Sequence, residues 1–230
     1  MPHGDWPALT ATGTTSYRMR LHNAAHSDVR SDLDWVYADY SGVYDPAKKT
    51  GSGTLRPSAQ PGTKPLSVRL IGNTFHIGND RGAWRKQTGS LVDALVLDGG
   101  RRWGPTDGAS ADPQALFRTL KGLGRIRDAG RTRSGANALD RYTYSYTIPG
   151  DDSVAEHTLE GTVQVHHDSN LIAKITQRTT VVGAHPEIAD ADPLTFSTTI
   201  AFSDYGVPVE VQAPPYAISR GARQPAERRS

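Results

Sequence analysis

His166-His167-Asp168 is the one local run of metal-ligand residue types in the sequence. Successive residues of a strand point to opposite faces, so the two imidazoles do not converge on one ion, and the run reads as the solvated end of a hairpin. His3, His22, His26, His76, His157 and His185 show none of the short repeated spacings that build a zinc or iron site. Asp32, Asp34, Asp39, Asp190 and Asp192 carry the group needed for general acid and base work. That work requires a carboxyl desolvated beside a partner, whereas these read as solvated loop carboxylates.

Nucleophilic hydrolysis on a strained strand-to-helix turn needs Gly-x-Ser-x-Gly, a pentapeptide absent from the chain, and Gly51-Ser52-Gly53 reads as loop. Gly122-Leu123-Gly124 lacks the third glycine and the lysine of a phosphate-cradling loop and reads as a helix C-cap. Arg125, Arg127, Arg131 and Arg133 form two alternating pairs around Asp128-Ala129-Gly130. They are expected to line one face of a hairpin, either as a site for an anionic head group or membrane surface or as a charge-protected edge.

The elements that would hold these residues are mostly strands. Tyr17, Met19 and Leu21 alternate with polar residues and share a face. So do Leu66, Val68 and Leu70, followed across Gly72-Asn73 by Phe75 and Ile77, which reads as a hairpin. Tyr142, Tyr144, Tyr146 and Ile148 repeat the pattern, as do Leu159, Val163 and Val165, then Leu171, Ala173 and Ile175, then Phe196, Ile200 and Phe202. Turns at 149–152 and 168–170 and a longer loop at 184–193 separate them, giving roughly ten strands in a meander.

Two short helices interrupt the strands. Ser90 and Asp93 form a capping box ahead of Ala94 to Leu97, with Gly99-Gly100 as the stop. Asp112-Pro113 opens the second, which places Leu116, Phe117, Leu120 and Leu123 on one side. Asp45 to Lys64, rich in Gly, Ser, Pro, Thr and Lys, reads as a mobile loop, and the Arg-containing stretch after Pro214-Pro215 as a disordered tail.

The 230 residues, 36% hydrophobic, suit one sizeable β domain. A net charge of +2, from 26 basic and 24 acidic residues, is too balanced for a nucleic-acid footprint. With no cysteine there is no disulfide, thiolate metal site or lipidatable thiol, and no apolar run reaches the roughly 20 residues that span a bilayer.

The order Tyr17 to Leu21, Val43-Tyr44-Asp45, Val68 to Ile77 with Leu70-Ile71-Gly72, a helix at Asp112-Pro113, and the closing Phe202-Ser203-Asp204-Tyr205-Gly206-Val207-Pro208-Val209 resembles the LppX/LprG type of actinobacterial lipoprotein, similar in fold to LolA. The resemblance implies a mainly β (α+β) fold, a curved antiparallel sheet or half-barrel closed by a few short helices. It would occupy residues 14–215 as one domain, after an N-terminal extension (1–13) and before a basic tail (216–230).

It also implies a monomeric, extracytoplasmic, non-enzymatic binder of a lipid, glycolipid or other hydrophobic ligand, with a membrane surface as a further partner and no cofactor. The family's export signal and lipidated cysteine are not present in this sequence. Alternation and helix facing nominate Tyr17, Met19, Leu21, Val68, Leu70, Leu95, Phe117, Leu120, Tyr144 and Ile200 for the cavity wall. Competing readings are a sensory or scaffold domain that meets a protein partner, with a full core, and an enzyme with a dispersed site.

Overall fold

The computed structural model describes residues 7–27, 35–57, 64–72, 74–78, 84–88, 126–134, 137–148, 156–182 and 194–214. These form a short helix, α1 (Pro7–Thr12), and eleven strands: β1 (Tyr17–Ser27), β2 (Trp35–Asp45), β3 (Thr50–Pro57), β4 (Leu66–Ile71), β5 (Thr74–Gly78), β6 (Trp84–Thr88), β7 (Ile126–Ser134), β8 (Asn137–Ile148), β9 (Glu156–His166), β10 (Ile172–Val182) and β11 (Leu194–Ser203). All belong to one open sheet in the order β6-β5-β4-β3-β2-β1-β11-β10-β9-β8-β7, with every described pair antiparallel. The chain therefore runs as two meanders. One spreads outward from β1 to the edge strand β6, and the other starts at the opposite edge, β7, and returns inward to β11 beside β1.

Expected and observed strands agree wherever period-two alternation is unbroken, as in β1, the β4–β5 hairpin, β8, β9 and β11. Asp45 to Lys64 differs, because Thr50–Pro57 is strand β3, paired on both sides. Its Gly and Ser content suggested loop, but Gly51, Gly53 and Leu55 alternate toward the core while Ser52 and Thr54 face away. An Asp45 side chain that accepts the Lys48 N–H at 3.0 Å closes the β2–β3 turn, and Lys49 sits at φ 52°.

Leu171, Ala173 and Ile175 do not share the core face. A bulge between Ile172 and Lys174 shifts the register, and Ile172 and Ile175 are the buried pair. Arg127, Arg131 and Arg133 belong to a single strand, not a hairpin. Its irregularity at Asp128 to Arg131, where Gly130 adopts φ 82°, sets Arg127 opposite Thr143 but Arg131 opposite Asp140, so the arginines do not line one face. Arg125, the two expected helices, the turn at 149–152, the loop at 184–193 and the tail lie outside the described residues.

The core occupies one face of the sheet. Rows of register partners cross it: Phe75, Leu70, Gly51, Tyr44 and Tyr17, then Ile77, Val68, Gly53, Gly42, Met19 and Phe202, then Leu55, Tyr40, Leu21, Ile200, Ile175 and Val163. Most are members of one buried cluster. Glycines in these rows leave room for tyrosine rings to lie along the sheet. A Cβ at Gly42 or Gly53 would collide with Tyr40, and one at Gly161 with Tyr144.

One end of this face is closed by segments from both ends of the described chain. Tyr17 packs edge-on against Phe202 and Tyr205, with ring centroids 5.2 and 5.9 Å away, and lies tilted 5.7 Å from Tyr44. The residues before 14, expected to lie outside the domain, include α1, whose Ala8 and Thr12 are buried. Thr12 Oγ1 accepts the Ile172 N–H at 3.0 Å, and Tyr205 Oη donates to the Ile172 carbonyl. Both polar groups at the β10 bulge are thus satisfied from outside the ladder. The 203–207 turn is tied to β1 by Ser16 Oγ donating to the Val207 carbonyl at 2.7 Å, by the Gly206 N–H donating to the Ser16 carbonyl at 2.8 Å and by an Arg18–Asp204 ion pair at 2.7 Å.

Candidate functional site

Seven of the residues nominated for the cavity wall, Tyr17, Met19, Leu21, Val68, Leu70, Tyr144 and Ile200, are buried members of the single inner-face cluster. They are brought together by register, since Leu21 pairs with Ile200 and Met19 with Phe202, while Tyr17 and Leu70 share a row through Tyr44 and Gly51. Leu95, Phe117 and Leu120 lie outside the described residues.

The inner face changes character one row beyond Leu21 and Ile200. There Asn23, Thr198, Gln177, Gly161 and Tyr144 are consecutive register partners across five strands. Thr198 Oγ1 donates to Asn23 Oδ1 at 3.1 Å, Tyr144 Oη donates to Gln177 Oε1 at 3.0 Å, and Gln177 Nε2 donates to Thr179 Oγ1 at 3.2 Å. Asn23, Gln177 and Thr198 are buried. Burial pushes the Tyr144 and Tyr40 phenols far above their ordinary range, so both stay neutral donors at any physiological pH. This belt was missed in the sequence because Asn, Gln and Thr at inward positions look like breaks in an apolar alternation. The visible signal was that they fall on the same parity as Leu21, Ile175 and Ile200.

The residues first considered for chemistry are dispersed. Asp39 stands on β2 beside the β1 residue His22, whose Nδ1 is 2.7 Å from its Oδ1, and both are about half exposed. His167 Nδ1 lies 2.7 Å from Asp140 Oδ2, and Arg131 Nε donates to Asp140 Oδ1 at 2.9 Å, forming an exposed cluster at the β9–β10 turn. Hydrogen bonds from His167 and then Arg131 hold the Asp140 carboxyl below its usual value. The turn itself, with the Asn170 N–H on the His166 carbonyl at 2.9 Å, is the hairpin end expected for His166-His167-Asp168. Among the described residues no group of three or more His, Asp or Glu is placed to hold a metal ion.

The arrangement defines a class: an open, wholly antiparallel sheet with a one-sided core and its first and last strands paired at the centre, the LppX-like fold. Mycobacterium tuberculosis lipoprotein LppX superposes with a TM-score of 0.52 at 16% identity, over 89% of this chain and 94% of that one. LprF from Mycobacterium bovis gives 0.46 at 12% identity, over 90% and 93%. No family model and no curated protein sequence matches the chain.

Proposed function

We propose that this protein is a non-enzymatic carrier whose inner sheet face holds the hydrocarbon part of a lipid, glycolipid or similar ligand. The observation that carries this reading is the grading of that face, three apolar rows followed by the hydrogen-bonded belt of Asn23, Thr198, Gln177 and Tyr144. An amphipathic molecule with its chain over Met19, Leu21, Val68, Leu70 and Ile200 would meet hydroxyl and amide groups where its polar end begins. Burial of each CH₂ contributes about 0.8 kcal/mol, so a long acyl chain needs no charged contact to bind well. The strands on either side of the segment that contains Leu95, Phe117 and Leu120, β6 and β7, are the opposite edges of the sheet.

The likeness in fold to the lipoprotein LppX supports an extracytoplasmic site of action, cell-envelope or secreted. Among the described residues no helix is long and apolar enough to cross a membrane.

Native mass spectrometry of the purified protein, followed by organic extraction, tests the reading. A co-purifying lipid, or uptake of an added fluorescent fatty acid that is lost in Ile200→Glu while the circular dichroism spectrum is kept, is the expected result. A clean apo mass that also fails to take up added lipids would overturn it and leave a partner-binding domain with a full core.

A further inference from the structure

Although the chain is nearly neutral, the sheet's outer face is not. Three consecutive rows of register partners cross it. The first runs Arg141, Gln164, Lys174, Ala201, Arg20, Ser41 and Thr54. The second runs Arg127, Thr143, Thr162, Thr176, Thr199, His22, Asp39 and Arg56. In the third, Ser145, Glu160, Arg178 and Ser197 are successive partners. Arg20, Arg56, Arg127, Arg141, Lys174 and Arg178 are all exposed, and none has an ion-pair partner among the described residues. The carboxylates of these rows are Asp39, already paired with His22, and Glu160, the register partner of Arg178.

The face is also grooved. A depression of about 1060 Å³ over β8 to β11 is lined by Thr143, Thr162, Thr176 and Thr199, among others, and reaches Arg127 and Arg178. A second, of about 730 Å³, runs on from Thr199 past Arg20 and His22 to Arg56. Together they form a lane of hydroxyls with cations along its flank and at both ends. Arg141, Lys174 and Arg20 stand on every second strand of the first row, at intervals of about 9.5 Å from strand spacing.

We propose that this lane binds an extended acidic polysaccharide. The exposed cations call for an anionic partner, and their regular interval suits a chain whose acid groups repeat along its length. Threonine and serine hydroxyls between them match sugar hydroxyls, each as donor and acceptor. A groove running across strands takes a narrow chain, whereas a bilayer surface would bridge it. Among the described residues the one exposed large hydrophobic, Tyr146, has inner-face parity, so none of them offers this face a large apolar group to insert into a membrane. The tyrosines bordering the two depressions, Tyr40, Tyr144 and Tyr146, have inner-face parity, so their rings do not form a stacking platform for nucleic-acid bases on this face.

The test titrates the full chain with a size-defined oligogalacturonate, a neutral dextran fragment and anionic phosphatidylglycerol vesicles, reading affinity by calorimetry or sedimentation. Binding to the oligogalacturonate alone, abolished in about 1 M salt, where the Debye length falls to about 3 Å, is the expected result. The exposed-site triple variant R20Q/R141Q/K174Q should weaken it on the order of tenfold or more at an unchanged melting temperature. Thr162→Val and Thr176→Val together should weaken it without altering the salt dependence. Oligogalacturonate affinity that survives the triple variant would overturn the proposal, as would equal binding of dextran, or binding of vesicles without the oligosaccharide.

Discussion

At the residue scale, Thr12 and Asp140 show how a single side chain can act on a distant piece of backbone or on local charge. Thr12 accepts the buried Ile172 N–H from 160 positions away in sequence, so Thr12→Ala leaves that donor unsatisfied at the bulge. We expect a loss of about 1–3 kcal/mol in urea unfolding, with Thr12→Ser retaining most of the stability. Equal loss in both variants would assign the effect to packing of the methyl group. Asp140 is held below its ordinary value of 3.8 by His167 and Arg131. A carboxylate with a depressed folded-state pKa contributes stability that is complete above the unfolded value and fades as pH drops through the folded one. The melting-temperature gap between wild type and Asp140→Asn should therefore be widest near neutral pH and close below about pH 4. A gap that persists unchanged into strong acid would show that the cluster acts through geometry alone. Neither role was legible beforehand, because the partners meet only after β8, β9 and β10 are in register.

At the scale of elements, legibility followed the cleanness of the alternation. Tyr17, Met19 and Leu21 marked β1, and Gly72 at φ 62° turns the β4–β5 hairpin where it was expected. Strand β3 was hidden because glycines stand where inward apolar side chains would normally advertise a strand. Their place in the core is taken by Tyr40 and Tyr44, which reach over from β2. The same device operates at Gly161, beneath Tyr144, which leads to a direct prediction. Gly161→Ala should cost about 1–3 kcal/mol in wild type through collision with the ring, and markedly less in a Tyr144→Leu background. Additive losses across this cycle, measured by chemical denaturation, would mean that the ring does not lie against Gly161. The inner polar belt and the outer cationic rows were invisible for another reason. Each joins residues from four or more strands, and the grouping is set by register, a property that no single segment carries.

For the whole molecule, the element order was legible from the resemblance, but how the two meanders join was not. They join through one seam, in which β11 pairs with β1 on one side and β10 on the other. Leu21 meets Ile200, so this pairing closes a loop that spans most of the chain and comes late among contacts that are otherwise sequential. The seam also lies within the buried core, with Met19, Leu21, Ile175, Ile200 and Phe202 all buried. Two consequences follow for one experiment, native-state hydrogen exchange. Amides of β1 and β11 should exchange last, near the global unfolding limit, while those of the edge strands β6 and β7 exchange first. A chain ending at residue 193 should lose the slowest class throughout both meanders, since β1 and β10 would then each face an empty edge and neither half retains a closed core. Full protection of β2 to β5 in that truncated chain would show instead that the first meander folds independently, and that the seam positions one half against the other without being needed to hold either together.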